Sequence, residues 1–509
     1  MINKFFLMGC LVWGGGILLV LLAVRKKSYF HNVALDLTSN VQKYIVIFVI
    51  TGIITVCVWP MGLNPHYNGE FSNWRNIYEV MTDSVLEGHL YIDYGDMDSR
   101  LLEMENPYDP DMRKELGVNF HWDHALYKGR YYMYYGIVPV FLVFLPYRII
   151  TGTSLTTYHA TQIFVGIFII GIFTLFHFAA KRFFNRMPFG MYLFLSSAIS
   201  IMSVWYSVDA PALYCTAISA GMCLEIWSIY FFTRAVWGEV NDRRCILYAF
   251  AGSILGALVF GCRPSIALAN ILVIPMLAEY LRRRNITPIL VRQLIFAASP
   301  YVLVAVLLMA YNYVRFDNPF EFGQTWQLTS ADQSNYGSIF SRIDLVDIFN
   351  GILKNFISYV PLKKEFPYIS FNGAFINFPI LLFPFIAVTG EGVRKRFKEM
   401  HLWGFVAVLC FLPLLITVVT VIEVPWLLER YRMDIYWLMG LFCYMAAGCY
   451  YMNTTETAGK KFSRNMMLWA AGSIFMCFFL YLVPWDFNLT AYDPEVLETV
   501  EKVLTLGLR

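Results

Sequence analysis

Long apolar runs alternate along this chain with short polar turns. Twelve of the runs approach the ~20 mostly apolar residues that a helix needs to cross a bilayer. They fall near 4–24, 44–62, 158–180, 188–207, 211–235, 246–262, 264–281, 294–313, 373–390, 402–422, 434–452 and 466–485. A thirteenth run, 134–150, is shorter and is broken by Gly136, Pro139 and Pro146. Two polar stretches are much longer than turns, 63–133 and 315–372. In the first, Phe71, Trp74, Ile77, Tyr78, Met81 and Val85 share one helical face, while Arg75, Asn76, Glu79, Asp83 and Glu87 share another. In the second, Leu345, Ile348, Phe349, Ile352, Leu353, Phe356 and Ile357 recur at helical spacing. Both patterns predict amphipathic helices lying in the membrane plane.

Composition agrees with that pattern and adds an exclusion. The 509 residues are 58% hydrophobic and 15% charged, with mean hydropathy +0.54, too apolar for a surface solvated all round. The expected fold is an all-α polytopic membrane protein with about 12–13 transmembrane helices. Its large outer loops carry in-plane amphipathic helices. Arg25, Lys26 and Lys27 follow the first run directly, which reads as an uncleaved anchor. All ten cysteines lie in or beside apolar segments, so disulfides and thiol-bound metal are not expected. The net charge of +3 says little about partners, and no nucleic-acid partner is expected.

Orientation follows from the short Lys/Arg-rich loops, which stay cytoplasmic. The clusters are Arg25–Lys27, Lys181–Arg186, Arg243 and Arg244, Arg282–Arg284, Arg394–Lys398 and Lys460–Arg464. All six share one side only if the chain crosses the membrane once between Met133 and Lys181. The run 134–150 is then expected to be a re-entrant or interfacial hairpin on the outer side. With this parity the outer face holds both termini, loops 63–133 and 315–372, and the turns at Asp209, Arg263 and 424–433. The expected setting is a multi-pass protein of the plasma membrane with its active site outside.

Candidate chemistry gathers on that face. Loop 63–133 carries thirteen acidic residues against six basic ones, most of them a solvated surface. The carboxylates of interest lie near the lipid boundary, where desolvation can turn a carboxylate into a useful base. Glu70 fits, a few residues after the second span, although an acid there also complements a helix N-terminus. Asp123, in His121-Trp122-Asp123-His124, is the other candidate base. Two histidines three apart are weak grounds for a metal site. The Asp109-Pro110-Asp111 pair reads as turn chemistry. Arg263 and Arg430 sit at span ends, where a charge is costly without a partner. Guanidinium groups at such depth suit a lipid phosphate, and snorkelling or an internal ion pair explains them equally well.

The order of these features resembles the bacterial type C membrane glycosyltransferases, relatives of the protein O-mannosyltransferases and the lipid A aminoarabinose transferases. An anchor is followed by an acidic residue opening a large outer loop, an in-plane helix ending in Leu86-Glu87-Gly88-His89, and a Tyr/Gly/Pro-rich run. Further echoes are Asp209-Ala210-Pro211, Asn312-Tyr313-Val314-Arg315-Phe316, Pro319-Phe320-Glu321-Phe322-Gly323 and Glu429-Arg430-Tyr431. This chain has Gly69-Glu70 where many relatives have an Asp-Glu pair, and Tyr135-Gly136-Ile137-Val138-Pro139 where they have a Lys-Pro-Pro run. The resemblance implies a polyprenyl-phosphate sugar donor and a glycan, lipid or protein acceptor. It implies Glu70 as general base or acceptor-positioning acid, and Arg263, Arg430 and Lys128 on the phosphate, with Asp209 and Glu321 in further binding motifs. No cofactor and no metal is expected.

The expected organisation is an anchor and second span over 1–62, an outer catalytic loop over 63–157, a bundle over 158–313, a second outer loop over 314–372, and C-terminal spans with an outer tail over 373–509. A flippase or transporter for lipid-linked saccharides is the main rival, and a ligase or polymerase would share the same features. Transporters usually show internal repeats and paired broken helices. No repeat is evident in this chain, and Glu225 is the conspicuous buried charge.

Overall fold

The computed structural model describes residues 4–62, 76–134, 136–211, 213–239, 241–337, 339–424, 427–485 and 488–508. Among them, ten helices are long and apolar enough to cross a membrane. The protein is therefore a helical, multi-pass membrane protein. Its middle is the Phe189–Asp209, Leu213–Trp237 and Met433–Met452 helices, which are buried on nearly every side. Close packing and a few polar contacts replace the hydrophobic drive that lipid removes. Tyr444, for example, stacks on Phe176 at 3.9 Å, and its hydroxyl donates to the Phe176 carbonyl at 2.9 Å. The Lys4–Val24 and Pro288–Phe316 helices are peripheral and leave most of their apolar side chains outward.

Helix starts are fixed locally. Thr156 caps the Thr157–Phe183 helix by accepting from the His159 amide, and Asn241 caps the Asp242–Phe260 helix by accepting from the Arg244 amide. Thr287 caps the next helix, whose first residue is Pro288. Following the helices in order places the basic clusters at one end of the bundle. There Arg182 donates to the Trp237 carbonyl at 2.8 Å and Arg186 to that of Met452 at 3.1 Å.

Several expected elements differ from what is observed. The run 373–390 is three short turns, Ala374–Asn377, Pro379–Leu382 and Phe383–Ala387, because Pro379 and Pro384 break it. The run 264–281 is a helix interrupted by the 3-10 stretch Leu268–Leu272. The last span lies within a longer helix, Glu456–Tyr481, whose polar first turns belong to the basic end. The run 134–150 ends in one short helix, a π turn Val140–Phe144 continuing into Leu145–Thr151. The fold is also not purely helical. His124–Tyr127 and Arg130–Met133 form an antiparallel hairpin, with Lys128 and Gly129 supplying the two positive φ angles of its turn.

At the other end the two long polar stretches join into one cap. Leu126 donates to the Trp326 carbonyl at 2.8 Å, and Leu328 to that of His124 at 2.9 Å. Arg113, almost fully buried, donates to the carbonyls of Pro107 and Thr329 and lies over the Phe120 ring. Asp109 caps the Pro110–Glu115 helix, the turn chemistry expected of its motif. The Ile77–Leu86 helix is tied to the bundle through Glu79, which accepts from the Thr157 amide at 2.8 Å and from its hydroxyl.

Burial pushes the Glu79 carboxyl up to about 7, against the hydrogen bonds from Thr157 that pull it down. A carboxyl raised in the folded state adds stability that is complete below its unfolded value and lost as pH rises through the folded one. The protein is therefore expected to lose on the order of 2–3 kcal/mol between about pH 5 and pH 8 at this site. Thermal unfolding of Glu79→Gln across that range checks it, since glutamine keeps the acceptor and should abolish this part of the slope.

Candidate functional site

Beneath the cap, among the helix ends opposite the basic clusters, lies a cavity of about 940 Å³. Its walls come from the ends of the Asp242–Phe260, Pro288–Phe316 and Trp403–Glu423 helices, the start of Leu213–Trp237, and both cap loops. Its lining includes the apolar side chains of Phe260, Leu308, Phe320, Phe322 and Leu428. Asp123, Arg263, Arg315, Glu423 and Arg430 line it as well, with tyrosines among them. A cavity of this mixed lining suits an amphiphile with an apolar chain and a charged head.

Several of the polar residues form a connected chain of contacts. Arg263 donates through Nε to both oxygens of Asp434 at 2.8 and 2.9 Å, and Ser265 Oγ donates to Asp434 Oδ2 at 2.8 Å. Burial works against the Arg263 charge, and the Asp434 carboxylate more than restores it, so the guanidinium stays cationic. The Arg263 and Arg430 guanidiniums lie 5.1 and 5.3 Å from the Tyr431 ring centre. Arg430 also lies over the Tyr214 ring at 3.9 Å, and the Tyr214 hydroxyl donates to Asp123 Oδ2. Asp123 Oδ1 accepts from Gln327 Nε2 at 3.0 Å, and Gln327 is held in turn by Gln333. Two cations and a carboxylate thus share one wall through two tyrosine rings.

The hairpin and the segment 326–328 beside it set the position of Asp123. Its amide donates to the Leu328 carbonyl at 2.9 Å, and its φ of 57° is left-handed, a conformation that aspartate tolerates better than most residues. The flanking histidines serve the cap. His121 bonds to Asp96 at 2.9 Å, and His124 lies between the Tyr94 hydroxyl at 2.8 Å and the Trp122 carbonyl at 2.9 Å. Burial holds His124 down near 4, so it is neutral at physiological pH. Among the described residues, no three His, Cys, Asp or Glu side chains gather as a metal site would need.

Of the sequence candidates, Asp123, Arg263, Arg430 and Glu321 line the cavity. Glu321 is occupied within its own loop, accepting from the Gly323 amide at 2.6 Å and the Thr325 hydroxyl at 2.7 Å. Lys128 does not line the cavity. It pairs with Asp317 at 2.5 Å on the exposed hairpin turn. Asp209 is buried beneath the cap, accepting from Trp485 Nε1 at 2.5 Å and from Asn488. Arg432 donates to Glu429 and to the Lys354 carbonyl, a structural tie. Glu70 lies outside the described residues.

Sequence reasoning missed Tyr214, Gln327, Glu423 and Asp434, and it quoted Arg315 only as part of a motif. Arg315 is 4% exposed, stacked on Tyr311 at 3.8 Å, and donates to the Met133 carbonyl and Asn312. A third charge at a span end was the available signal for Arg315. For Asp434 it was the unmet need of Arg263 for a partner.

The segment around Gly136 and Val138 packs against the turn that carries Arg263. Val138 donates to the Gly261 carbonyl at 2.9 Å. A Cβ on Gly136 would lie 2.3 Å from the Gly261 carbonyl oxygen and 2.4 Å from that of Cys262. Both are backbone atoms, so Gly136→Ala must push the segment off the turn that carries Arg263. We expect it to cost about 1–3 kcal/mol, as overpacking does, seen as a lowered Tm.

No family model, curated protein or solved structure matches this chain.

Proposed function

We propose that the protein is a membrane glycosyltransferase of the type C kind, moving a sugar from a polyprenyl-phosphate donor to a glycan, lipid or protein acceptor at the outer face of the plasma membrane. The observation that carries this reading is the chain of contacts that brings Asp123, Arg430 and Arg263 together on a cavity that is also lined by apolar side chains. The positive-inside rule supports the outward placement, since the basic clusters gather at the far end of the bundle.

In the proposed reaction an acceptor hydroxyl attacks the anomeric carbon of the donor. Its oxygen forms the new glycosidic bond, its proton passes to a carboxylate, and the bond from carbon to phosphate oxygen breaks with its electron pair leaving on the phosphate. We assign the proton to Asp123, which meets Arg430 through Tyr214, rather than to Glu321 or Glu423 on the same cavity; Glu70 is the second candidate. Arg263 and Arg430 balance the charge that grows on the leaving phosphate. Attack from the face opposite the phosphate inverts the anomeric centre. The Leu345–Phe356 helix, with Leu345, Val346 and Phe349 turned outward, would lie in the membrane surface beside the cavity.

The reading is tested by incubating purified protein in lipid vesicles with a polyprenyl-phosphate sugar and cell-envelope acceptors. Free polyprenyl phosphate should accumulate as the sugar leaves the lipid. Intact donor that only changes leaflet would mean a flippase instead.

A further inference from the structure

Away from the cavity, the interiors of four spans bring polar atoms together around Gly256. Glu225, in the middle of the Leu213–Trp237 helix, is fully buried. Its Oε2 accepts from Asn270 Nδ2 at 3.2 Å, while its Oε1 is buried with no hydrogen-bond partner. None of the ion pairs among the described residues involves it. Asn270 lies in the 3-10 stretch that interrupts the Pro264–Arg282 span. Its Oδ1 accepts from the Tyr301 hydroxyl at 2.5 Å, and its Nδ2 also donates to the Gly256 and Ala267 carbonyls at 3.0 Å. Ser228 Oγ donates to the Gly252 carbonyl at 2.8 Å.

The glycine is what leaves room for this convergence. A Cβ on Gly256 would lie 2.3 Å from Asn270 Oδ1, 2.6 Å from the Tyr301 hydroxyl and 2.8 Å from Ser228 Oγ. Three side-chain oxygens therefore crowd onto one point of the backbone, next to a buried carboxylate. An ionised carboxyl so far from water is expensive unless something neutralises it, and among the described residues no basic side chain pairs with it.

We infer that Glu225, Ser228, Asn270 and Tyr301, with nearby backbone carbonyls, form an intramembrane site for a monovalent cation. All the ligands are oxygens, the donor type that hard cations take. The single carboxylate balances one positive charge, whereas a divalent ion would leave an excess charge in the bundle. An interrupted helix is where carbonyls become available for an ion at membrane depth. The same interrupted helix begins beside Arg263, so an ion on Asn270 would also fix the turn that carries that arginine. This inference is independent of the sugar-transfer reading.

The test is thermal unfolding of the full-length protein in detergent, with choline chloride replaced stepwise by sodium chloride or potassium chloride at constant ionic strength. Ion binding to the folded state should raise Tm saturably in one or both alkali salts. The rise should vanish in Glu225→Gln. In Tyr301→Phe, which keeps the ring and removes one oxygen, it should move to severalfold higher salt. If Glu225→Gln does not fold, Tyr301→Phe decides. Equal Tm in all three salts would overturn the inference and leave a proton as the neutralising ion. So would a rise that both variants retain unchanged.

Discussion

Asp434→Ala is expected to destabilise the protein by about 2–4 kcal/mol, because it leaves the half-buried Arg263 without its counter-charge and Ser265 without its acceptor. Asp434 is fully buried and accepts three hydrogen bonds, two from Arg263 Nε and one from Ser265. Removing it strands donors on two side chains at once. The double variant Arg263→Met with Asp434→Leu should recover much of the loss, since replacing both charges by apolar groups of similar volume is often neutral. Denaturant unfolding of Arg263→Met, Asp434→Leu and the double gives the coupling directly. On the proposed mechanism the double variant folds and yet does not transfer sugar, which separates the fold role of the pair from its phosphate role.

Asp123→Asn is expected to lower turnover by about 10²- to 10⁴-fold, the usual span for loss of a general base. Asparagine keeps one acceptor oxygen for Tyr214 or Gln327 and cannot take the acceptor proton. The fold should be little affected, because the hairpin is held by backbone bonds from Asp123, Leu126 and Leu328. Donor affinity should also change little, since Arg263 and Arg430 remain. A fall in kcat with KM nearly constant is therefore the expected signature, read by single-turnover release of polyprenyl phosphate.

How far the sequence disclosed this arrangement depends on the kind of signal. Arg263 and Arg430 stand out because a charge at a span end is rare and has a cause. Their surroundings do not stand out. Asp434 lies 171 residues from Arg263 and one residue into a span, where it reads as part of the apolar pattern's edge. Tyr214 and Tyr431 are two among 33 tyrosines, and interfacial anchoring accounts for most of those. The resemblance implies Lys128 as a phosphate ligand, but Lys128-Gly129 is turn chemistry, and the hairpin carries it to the surface. The hairpin itself was missed because its strands are four residues each, too short for alternation to register. Spans were legible by length and hydropathy, except at 373–390, where Pro379 and Pro384 break an apolar run that a hydropathy average cannot tell from a helix.

The central claim is that sugar transfer occurs on the wall shared by Asp123, Arg263 and Arg430. The most direct test uses wild type, Asp123→Asn and Glu70→Gln in vesicles with a radiolabelled polyprenyl-phosphate sugar and envelope acceptors. The account predicts label moving from lipid to acceptor in the wild type and loss of that movement in Asp123→Asn. Loss in Glu70→Gln with near-normal transfer by Asp123→Asn would assign the base to Glu70. Label that stays on the lipid in every protein, the wild type included, would contradict the account.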